Sequence, residues 1–294
     1  MCGTLEAIKK PLPGARELRD GTFVCWWTEL SLVLAIVLVV VLVAPNFLPH
    51  GAPPGALDHA IAIVDAERFL GLFQEATVQH WFLDIQPLAI AANWWYGLMH
   101  FIVTFAVLIW LFRRRTDSYP LWRNTLAIAS VLALVVQALW PATPPRLLDG
   151  AAHTPKIVDA LATLSSPWSF QGHGTGGIAN QYAAMPSMHC VWALWVLCVV
   201  VPRVHTRWVR VAFVVYPIIT ALVIVANGTH FVLDAPGGYL ALGAGYAIAR
   251  GVTRSGRRTM PDAEPRVATA PHTTTSPTAS TTASATAPTT AAPI

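Results

Sequence analysis

Few residues of this chain carry a charge, and few are cysteine. Asp, Glu, Lys and Arg make up 12% of the 294 residues, whereas 54% are hydrophobic. This composition argues against a soluble domain with a single core and indicates a protein embedded in a lipid bilayer. The four cysteines form no CxxC pair, so neither a zinc site nor a disulfide framework is indicated. The Gly-rich stretch QGHGTGG lacks the strand and helix that flank a nucleotide-binding loop.

Several apolar segments approach the length needed to cross a membrane, since roughly 20 apolar residues span a ~30 Å hydrocarbon core. We therefore predict an all-α, polytopic membrane protein, a bundle of six transmembrane helices. The segments lie near residues 26–44, 88–112, 121–141, 187–202, 208–227 and 232–249. The apolar and acidic stretch 56–84 predicts one or two further helices that lie on the membrane surface.

The basic residues predict the orientation of this bundle. If the N-terminus is cytoplasmic, all but three of the 19 Lys and Arg residues lie in cytoplasmic segments; the exceptions are Arg68, Arg146 and Lys156. This asymmetry follows the positive-inside rule. It predicts a multi-pass cell membrane protein with cytoplasmic termini and long extracytoplasmic loops at 45–87 and 142–186. The net charge of +4 then reflects topology and implies no nucleic-acid partner.

The chain divides by composition into three parts. Residues 1–25 form a short basic leader on the cytoplasmic side, and residues 26–252 form the membrane domain. We interpret the first apolar run as an uncleaved anchor, because no small-residue cleavage site follows it promptly. Residues 253–294 are rich in Thr, Ala and Pro and predict a disordered cytoplasmic tail without chemistry of its own.

The stretch AAMPSMH, residues 183–189, predicts an anion site at the start of the fourth span. Proline is favoured in the first helical turn, so Pro186 indicates the start of the helix. The backbone N–H groups of Ser187, Met188 and His189 would then lack intrahelical partners. A helix N-terminus of this kind attracts anions, and the Ser187 hydroxyl adds a donor. We expect a phosphate group to bind there.

Two further elements fall at the same predicted side of the membrane. His230 and Asp234 are four residues apart and would share one helical face at the start of the sixth span. A carboxylate that accepts the Nδ1–H of the imidazole leaves Nε2 available as a nucleophile or base. Arg146 follows the third span, and its planar guanidinium suits charge neutralisation during phosphoryl transfer.

Together, WPATPPR (140–146), AAMPSMH (183–189) and GTHFVLD (228–234) resemble the motifs of the type 2 phosphatidic acid phosphatase superfamily. The similarity extends over about residues 30–250 and is greatest to the branch of the inositol phosphorylceramide synthases. It implies a helical bundle and a phosphohistidine mechanism that needs no metal and no cofactor. By position, the resemblance makes His230 the nucleophile, Asp234 its orienting partner and His189 the acid. Arg146 and Ser187 would bind the phosphate.

The chain departs from the superfamily pattern at several positions. Leu139 stands where the pattern has Lys, Met188 replaces a Gly, and Val223 and Ile224 replace a Ser-Arg pair. Two phosphate-binding cations are therefore missing, which favours the inositolphosphotransferase-like branch. Lys156, Arg68 and His173 are the candidates to replace them.

Other interpretations of these residues stay open on sequence alone. His189, His230 and Asp234 also match a two-His, one-carboxylate metal site, although the nearby cation Arg146 argues against one. Ser187, His230 and Asp234 suggest a serine-hydrolase triad, but no GxSxG motif is present. A third alternative is that the chain is a scaffold or transporter without catalytic activity.

The sequence thus predicts an integral membrane phosphotransferase or phosphatase whose partners are a lipid phosphate or phospholipid substrate and the surrounding lipids.

Asn93, Tyr96 and His100 fall at helix-compatible spacing on the second span. We interpret them as packing or hydrogen-bonding residues between spans.

Overall fold

The computed structural model describes residues 15–17, 23–25, 29, 31, 52–148, 150–163 and 182–258. Strands β1 (Ala15–Glu17) and β2 (Phe23–Cys25) form one short antiparallel pair. All other described elements are helical, which confirms the all-α prediction apart from this pair. The helices are α1 (Ala56–Leu70), α2 (Glu75–Leu83), α3 (Gln86–Trp94), α4 (His100–Arg114), α5 (Tyr119–Leu139), α6 (Ala160–Thr163), α7 (Met188–Val200), α8 (Arg207–Ala226) and α9 (Asp234–Arg258).

Three of the described helices are long and apolar enough to cross a membrane. They are Gln86–Arg114, Thr116–Leu139 and Arg207–Ala226. The first of them joins α3 and α4 through a π-helical turn at Trp95–Met99. The predicted count of six spans is not confirmed. Helix α7 has 13 residues, a length of about 20 Å, and is shorter than the hydrocarbon core. The predicted first span, 26–44, lies outside the described residues except for Glu29 and Ser31.

Helix α7 is the centre of the bundle and contacts α4, α5, α8 and α9. Its composition explains this position, because a helix that is apolar on every face is stable only when it is surrounded. Trp195, Val196 and Val199 are fully buried there. Helix α9 packs closely along α5, where a Cβ added to Gly245 would lie 2.8 Å from the Cβ of Ala129. Small residues at such a crossing let two helix backbones approach each other.

The first loop contains two helices, α1 and α2, within the stretch where one or two were predicted. At the other end of the chain, α9 continues to Arg258, so the predicted boundary between membrane domain and tail at 252/253 falls inside a helix. The predicted tail from residue 259 onwards, and His173 in the second loop, lie outside the described residues.

Backbone contacts bring the three sequence motifs to one end of the bundle. Ala142 and Ala183 form a parallel bridge, which joins the segment after α5 to the segment before α7. The amide of Arg146 donates to the carbonyl of Gly228 at 3.0 Å. The amide of Ser187 donates to the carbonyl of Asp234 at 3.1 Å. Residues far apart in the sequence are therefore fixed against each other by main-chain hydrogen bonds.

Candidate active site

His230 and Asp234 form a buried pair in the turn between α8 and α9. The Nδ1 atom of His230 lies 3.0 Å from Oδ2 of Asp234 and 2.7 Å from the carbonyl oxygen of Ala184. Because both neighbours are acceptors, Nδ1 carries the proton and Nε2 has a free lone pair. The contact does not arise from a shared helical face, as the sequence predicted. Helix α9 begins at Asp234, and His230 lies in the turn before it.

The burial of His230 keeps its ring neutral. Only 5% of the residue is exposed. This burial lowers the pKa of His230 to about 4, and the charge of Arg146 acts in the same direction, whereas the hydrogen bond to Ala184 opposes it. An imidazole that is neutral at physiological pH, with its Nε2 lone pair free, has the electronic state of a nucleophile.

His189 faces His230 from the first turn of α7. The centroids of the two rings are 6.0 Å apart, and their planes are inclined by 71°. The Nε2 atom of His189 is buried and has no hydrogen-bond partner among the described residues. A separation of this size between the two rings leaves room for one phosphate group. The nucleophilic nitrogen would lie ~3–3.5 Å from phosphorus, and the acid would lie ~3 Å from the leaving oxygen.

Two side chains of the second span hold the ring of His189. Tyr96 stacks on it with a centroid distance of 4.3 Å, and His100 meets it edge-on at 4.3 Å. Both lie at or beside the π-helical turn Trp95–Met99. A π-helical turn is frequently found at a functional site. The sequence indicated a packing role for Tyr96 and His100, and the structure shows that the packing is against a candidate catalytic histidine.

Arg146 lies in a short 3₁₀ turn, Pro145–Leu147, beside the turn that carries His230. Its Nε atom is 3.1 Å from Oδ2 of Asp159, and 4% of its side chain is exposed. A Cβ on Gly228, whose φ is +69°, would lie 3.3 Å from the Cβ of Arg146 and 2.8 Å from Ile157. The absence of a side chain at position 228 therefore lets Arg146 and the segment around Ile157 approach the His230 turn.

Ser187 is the N-cap of α7, which corrects the prediction that Pro186 starts the helix. Its Oγ accepts a hydrogen bond from the amide of Cys190 at 3.5 Å, and its own amide is bonded to Asp234, not unpaired as predicted. The hydroxyl proton is still available as a donor. The amides of Met188 and His189 lie in the first helical turn, where no intrahelical acceptor exists. The site is therefore surrounded by N–H and O–H donors.

Two of the candidates to replace the missing cations, Arg68 and Lys156, lie within the described residues. The guanidinium of Arg68 donates to the carbonyl of His153 at 3.1 Å and lies 5.0 Å from the centre of the Phe73 ring. Lys156 is exposed. Val223 and Ile224, which occupy the Ser-Arg positions of the family pattern, are buried in α8. The described residues thus provide Arg146 and backbone amides, and no second buried Arg or Lys, at this site.

The alternative sites suggested by the sequence are not formed in the described part of the chain. There, no three His, Cys, Asp or Glu side chains are arranged as metal ligands. Ser187 Oγ is bonded to the Cys190 amide and not to a histidine, which is not the arrangement of a serine-hydrolase triad.

Three further residues shape the site and were not predicted from the sequence. Gln79 is fully buried, donates to the carbonyls of Val158 and Ala226, and accepts from the amide of Val158. It thereby holds the segment that contains Asp159 against the end of α8. Glu67 and Glu75 are also fully buried and bind backbone amides near His230. Their position in predicted surface helices concealed this role.

Comparisons with known proteins give one structural match and one family match. The crystal structure of Aquifex aeolicus LpxE aligns with a TM-score of 0.40 and 17% identity, over 57% of this chain and 94% of that chain. A likeness of this size establishes no shared activity. No curated protein sequence matches the chain. Residues 61–248, which include all three motifs, match the PAP2 superfamily. The chain therefore belongs to the PAP2 superfamily.

Proposed function

We propose that the protein is an integral membrane lipid-phosphate phosphatase or phosphotransferase that works through a phosphohistidine on His230. The observation that carries the proposal is the pair of facing imidazoles, with His189 6.0 Å from a His230 ring whose Nδ1 binds Asp234. Arg146 lies beside the same turn and is the cation for the phosphate oxygens. Membership of the PAP2 superfamily supports phosphatase chemistry on a lipid phosphate.

In the first step, Nε2 of His230 attacks phosphorus as the bond from phosphorus to the lipid oxygen breaks. The leaving oxygen takes the bond's electron pair and receives a proton from Nε2 of His189. The positive charge that develops on His230 is stabilised by Asp234, which accepts its Nδ1–H. Arg146, Ser187 and the first amides of α7 bind the phosphoryl oxygens, whose charge increases in the transition state.

In the second step, His189 removes a proton from the acceptor hydroxyl, which attacks the phosphorus of the phosphohistidine. The nitrogen–phosphorus bond breaks and its electron pair returns to Nε2 of His230. Water as acceptor gives a phosphatase, and an alcohol gives a phosphotransferase of the inositolphosphotransferase-like kind. Both reactions use the same histidines, so the acceptor is identified by the product formed. Neither step requires a metal ion or a cofactor.

We place the site on the extracytoplasmic face. His189 and Asp234 lie at the N-terminal ends of α7 and α9, and Arg146 follows the C-terminal end of α5. The opposite helix ends carry basic residues, namely Arg113 to Arg115, Arg203, Arg207, Arg210 and Arg250. Basic residues are retained in the cytoplasm during insertion. This distribution supports a site on the other side of the membrane.

An activity assay of the purified protein in detergent tests the proposal. The substrates are phosphatidic acid, polyprenyl diphosphate and phosphatidylinositol, each with and without a chelator. We expect phosphate release or headgroup transfer that persists with chelator and is abolished in His230→Ala. His80→Ala is the matched control, because His80 is an exposed imidazole of α2 and lies outside the proposed site. It should retain wild-type activity.

Two results would contradict the proposal. Equal activity in His230→Ala and His80→Ala would exclude the phosphohistidine. A well-folded wild-type protein that turns over none of the three lipids, with or without added myo-inositol or ceramide as acceptor, would instead support a scaffold or transporter on the PAP2 fold.

A further inference from the structure

Two buried glutamates hold the turn that carries His230. Glu67 Oε1 accepts the amide of Leu233 at 2.7 Å, and Glu75 Oε1 accepts the amide of Val232 at 3.2 Å. The preceding amide, that of Phe231, donates to Asp234 Oδ2 at 2.9 Å. Three consecutive backbone N–H groups after His230 are therefore each bound by a different carboxyl group.

The two glutamates bind neighbouring amides. Both residues are 0% exposed, and they accept the N–H groups of the consecutive residues Val232 and Leu233. The other oxygen of each, Oε2, is buried and has no hydrogen-bond partner among the described residues. A buried carboxylate oxygen without a donor is costly, whereas a protonated carboxyl group can donate to a neighbouring carboxylate. One proton held between the two carboxyl groups would therefore satisfy both.

The surroundings explain why the proton is retained. The ion pairs that the described residues form involve neither Glu67 nor Glu75. Burial raises the pKa of Glu67 to about 9, and the neighbouring carboxyl group of Glu75 and the charge of Asp234 act in the same direction. Two uncompensated carboxylates in a buried site would repel each other, and one shared proton removes this repulsion.

We propose that Glu67 and Glu75 are positioning residues that share one proton and, through the amides of Val232 and Leu233, fix His230 in line with His189. Neither carboxyl touches the substrate. The pair links α1 and α2, on the extracytoplasmic side, to the nucleophile's turn. The positioning role rests on the proposed function, whereas the shared proton is a property of the folded chain.

Glutamine substitutions distinguish the effect of the shared proton from the effect of burial. In Glu67→Gln or Glu75→Gln, the amide oxygen still accepts the backbone N–H, and the amide NH₂ donates to the remaining carboxylate. We expect each single variant to stay within about threefold of the wild-type kcat. In the double variant two NH₂ groups face each other without an acceptor. We expect its kcat to fall at least ~10-fold with little change in KM, because small displacements of a nucleophile cost rate more than binding.

Hydrogen exchange and infrared spectroscopy test the pair without turnover. We expect the amides of residues 231–233 to be protected in the wild type and in both single variants, and to exchange faster in the double variant and in Glu67→Ala. A carboxylic-acid C=O band at pH 7 should be present in the wild type and lost in Glu67→Gln. Asp65→Asn removes an exposed carboxylate of the same helix and should change none of these signals.

The proposal is overturned if the double glutamine variant keeps wild-type kcat and amide protection, or if each single variant is as impaired as the double. It is also overturned if the wild-type spectrum has no acid band sensitive to Glu67→Gln. If the wild type has no lipid phosphatase or transferase activity, the exchange and infrared results still decide whether the pair shares a proton, and the failure then lies in the proposed function.

Discussion

Gly238 is the position where a single methyl group should disturb the candidate site most directly. It lies in the second turn of α9, against the start of α7. A Cβ there would lie 2.7 Å from the carbonyl oxygen of Ser187, 3.2 Å from the Cβ of Cys190 and 3.3 Å from the amide of Val191. Two of these neighbours are main-chain atoms, which cannot rotate away. Gly238→Ala therefore requires α9 to move relative to α7.

The size of this movement follows from the contact distances. Ordinary van der Waals contact begins near 3.4 Å, so the separation from Ser187 must grow by about 0.7 Å. Asp234 starts α9, and His189 lies in the first turn of α7, so the same movement separates His230 from His189. Overpacking of this kind costs about 1–3 kcal/mol of stability. A 1 Å displacement at a reacting centre costs up to ~10²-fold, so we expect kcat to fall on the order of 10-fold.

Gly243→Ala is the matched control, on the same helix. A Cβ at position 243 has no described heavy atom within 4 Å. The control should keep wild-type kcat and gain up to ~1 kcal/mol from the higher helix propensity of alanine. Phosphate release from phosphatidic acid and thermal unfolding of the detergent-solubilised protein measure both quantities. If Gly238→Ala matches Gly243→Ala in kcat and Tm, the close contact between α9 and α7 does not position the site.

Three further changes test the electrostatics and the backbone of the site. His230 is a nucleophile only when neutral, so activity is lost as the pH falls through its pKa. The acid limb of the kcat/KM profile should therefore lie near pH 4 and not near 6.5. An acid limb near 6.5 that shifts in Asp234→Asn would contradict this. In the folded protein Glu67 keeps its proton up to about pH 9, whereas in the unfolded chain it releases the proton near pH 4.5. The contribution of this proton to the free energy of unfolding is therefore complete below pH 4.5. It falls by up to ~1.4 kcal/mol per pH unit as the pH rises to 9. The Tm of Glu67→Gln relative to the wild type should therefore increase from pH 5 to pH 8, and a constant difference would refute a protonated Glu67. Gly228→Ala combines a φ of +69° with a 2.8 Å contact to Ile157 and should lower stability by at least ~1–2 kcal/mol, whereas Gly251→Ala, which has open space among the described residues, should not.

The sequence was sufficient to predict the helical class and the three motifs at one end of the bundle. Hydropathy and helix-end signals are local, so the apolar helices and the start of α7 near Pro186 follow from short stretches of chain. The exact role of Ser187 and Pro186 was less predictable. The sequence predicts that the helix starts at Pro186, but α7 begins two residues later, at Met188, because Ser187 fills the N-cap position.

The contact between His230 and Asp234 was predicted, but for the wrong geometric reason. A spacing of four residues fits one helical face, and it also fits a turn closed by a carboxylate at the first position of a helix. The structure has the second arrangement, in which Asp234 also accepts the amide of Phe231. Sequence spacing alone does not distinguish these two arrangements.

The supporting residues were not predictable, because their environment depends on tertiary packing. Glu67, Glu75 and Gln79 belong to helices whose composition is typical of a membrane surface, yet all three side chains are buried against the ends of α8 and α9. Tyr96 and His100 were recognised as polar residues of a span, but only the folded chain shows that they contact His189.

The central claim is that a phosphoryl group is transferred to Nε2 of His230. Wild-type protein should be mixed with ³²P-labelled phosphatidic acid, quenched within one turnover at alkaline pH, digested and mapped by mass spectrometry. The account predicts an alkali-stable, acid-labile phosphate on the peptide that contains His230, absent in His230→Ala and still formed on His230 in the wild type when a chelator is present. Label on any other residue, or full turnover by His230→Ala, would contradict the account.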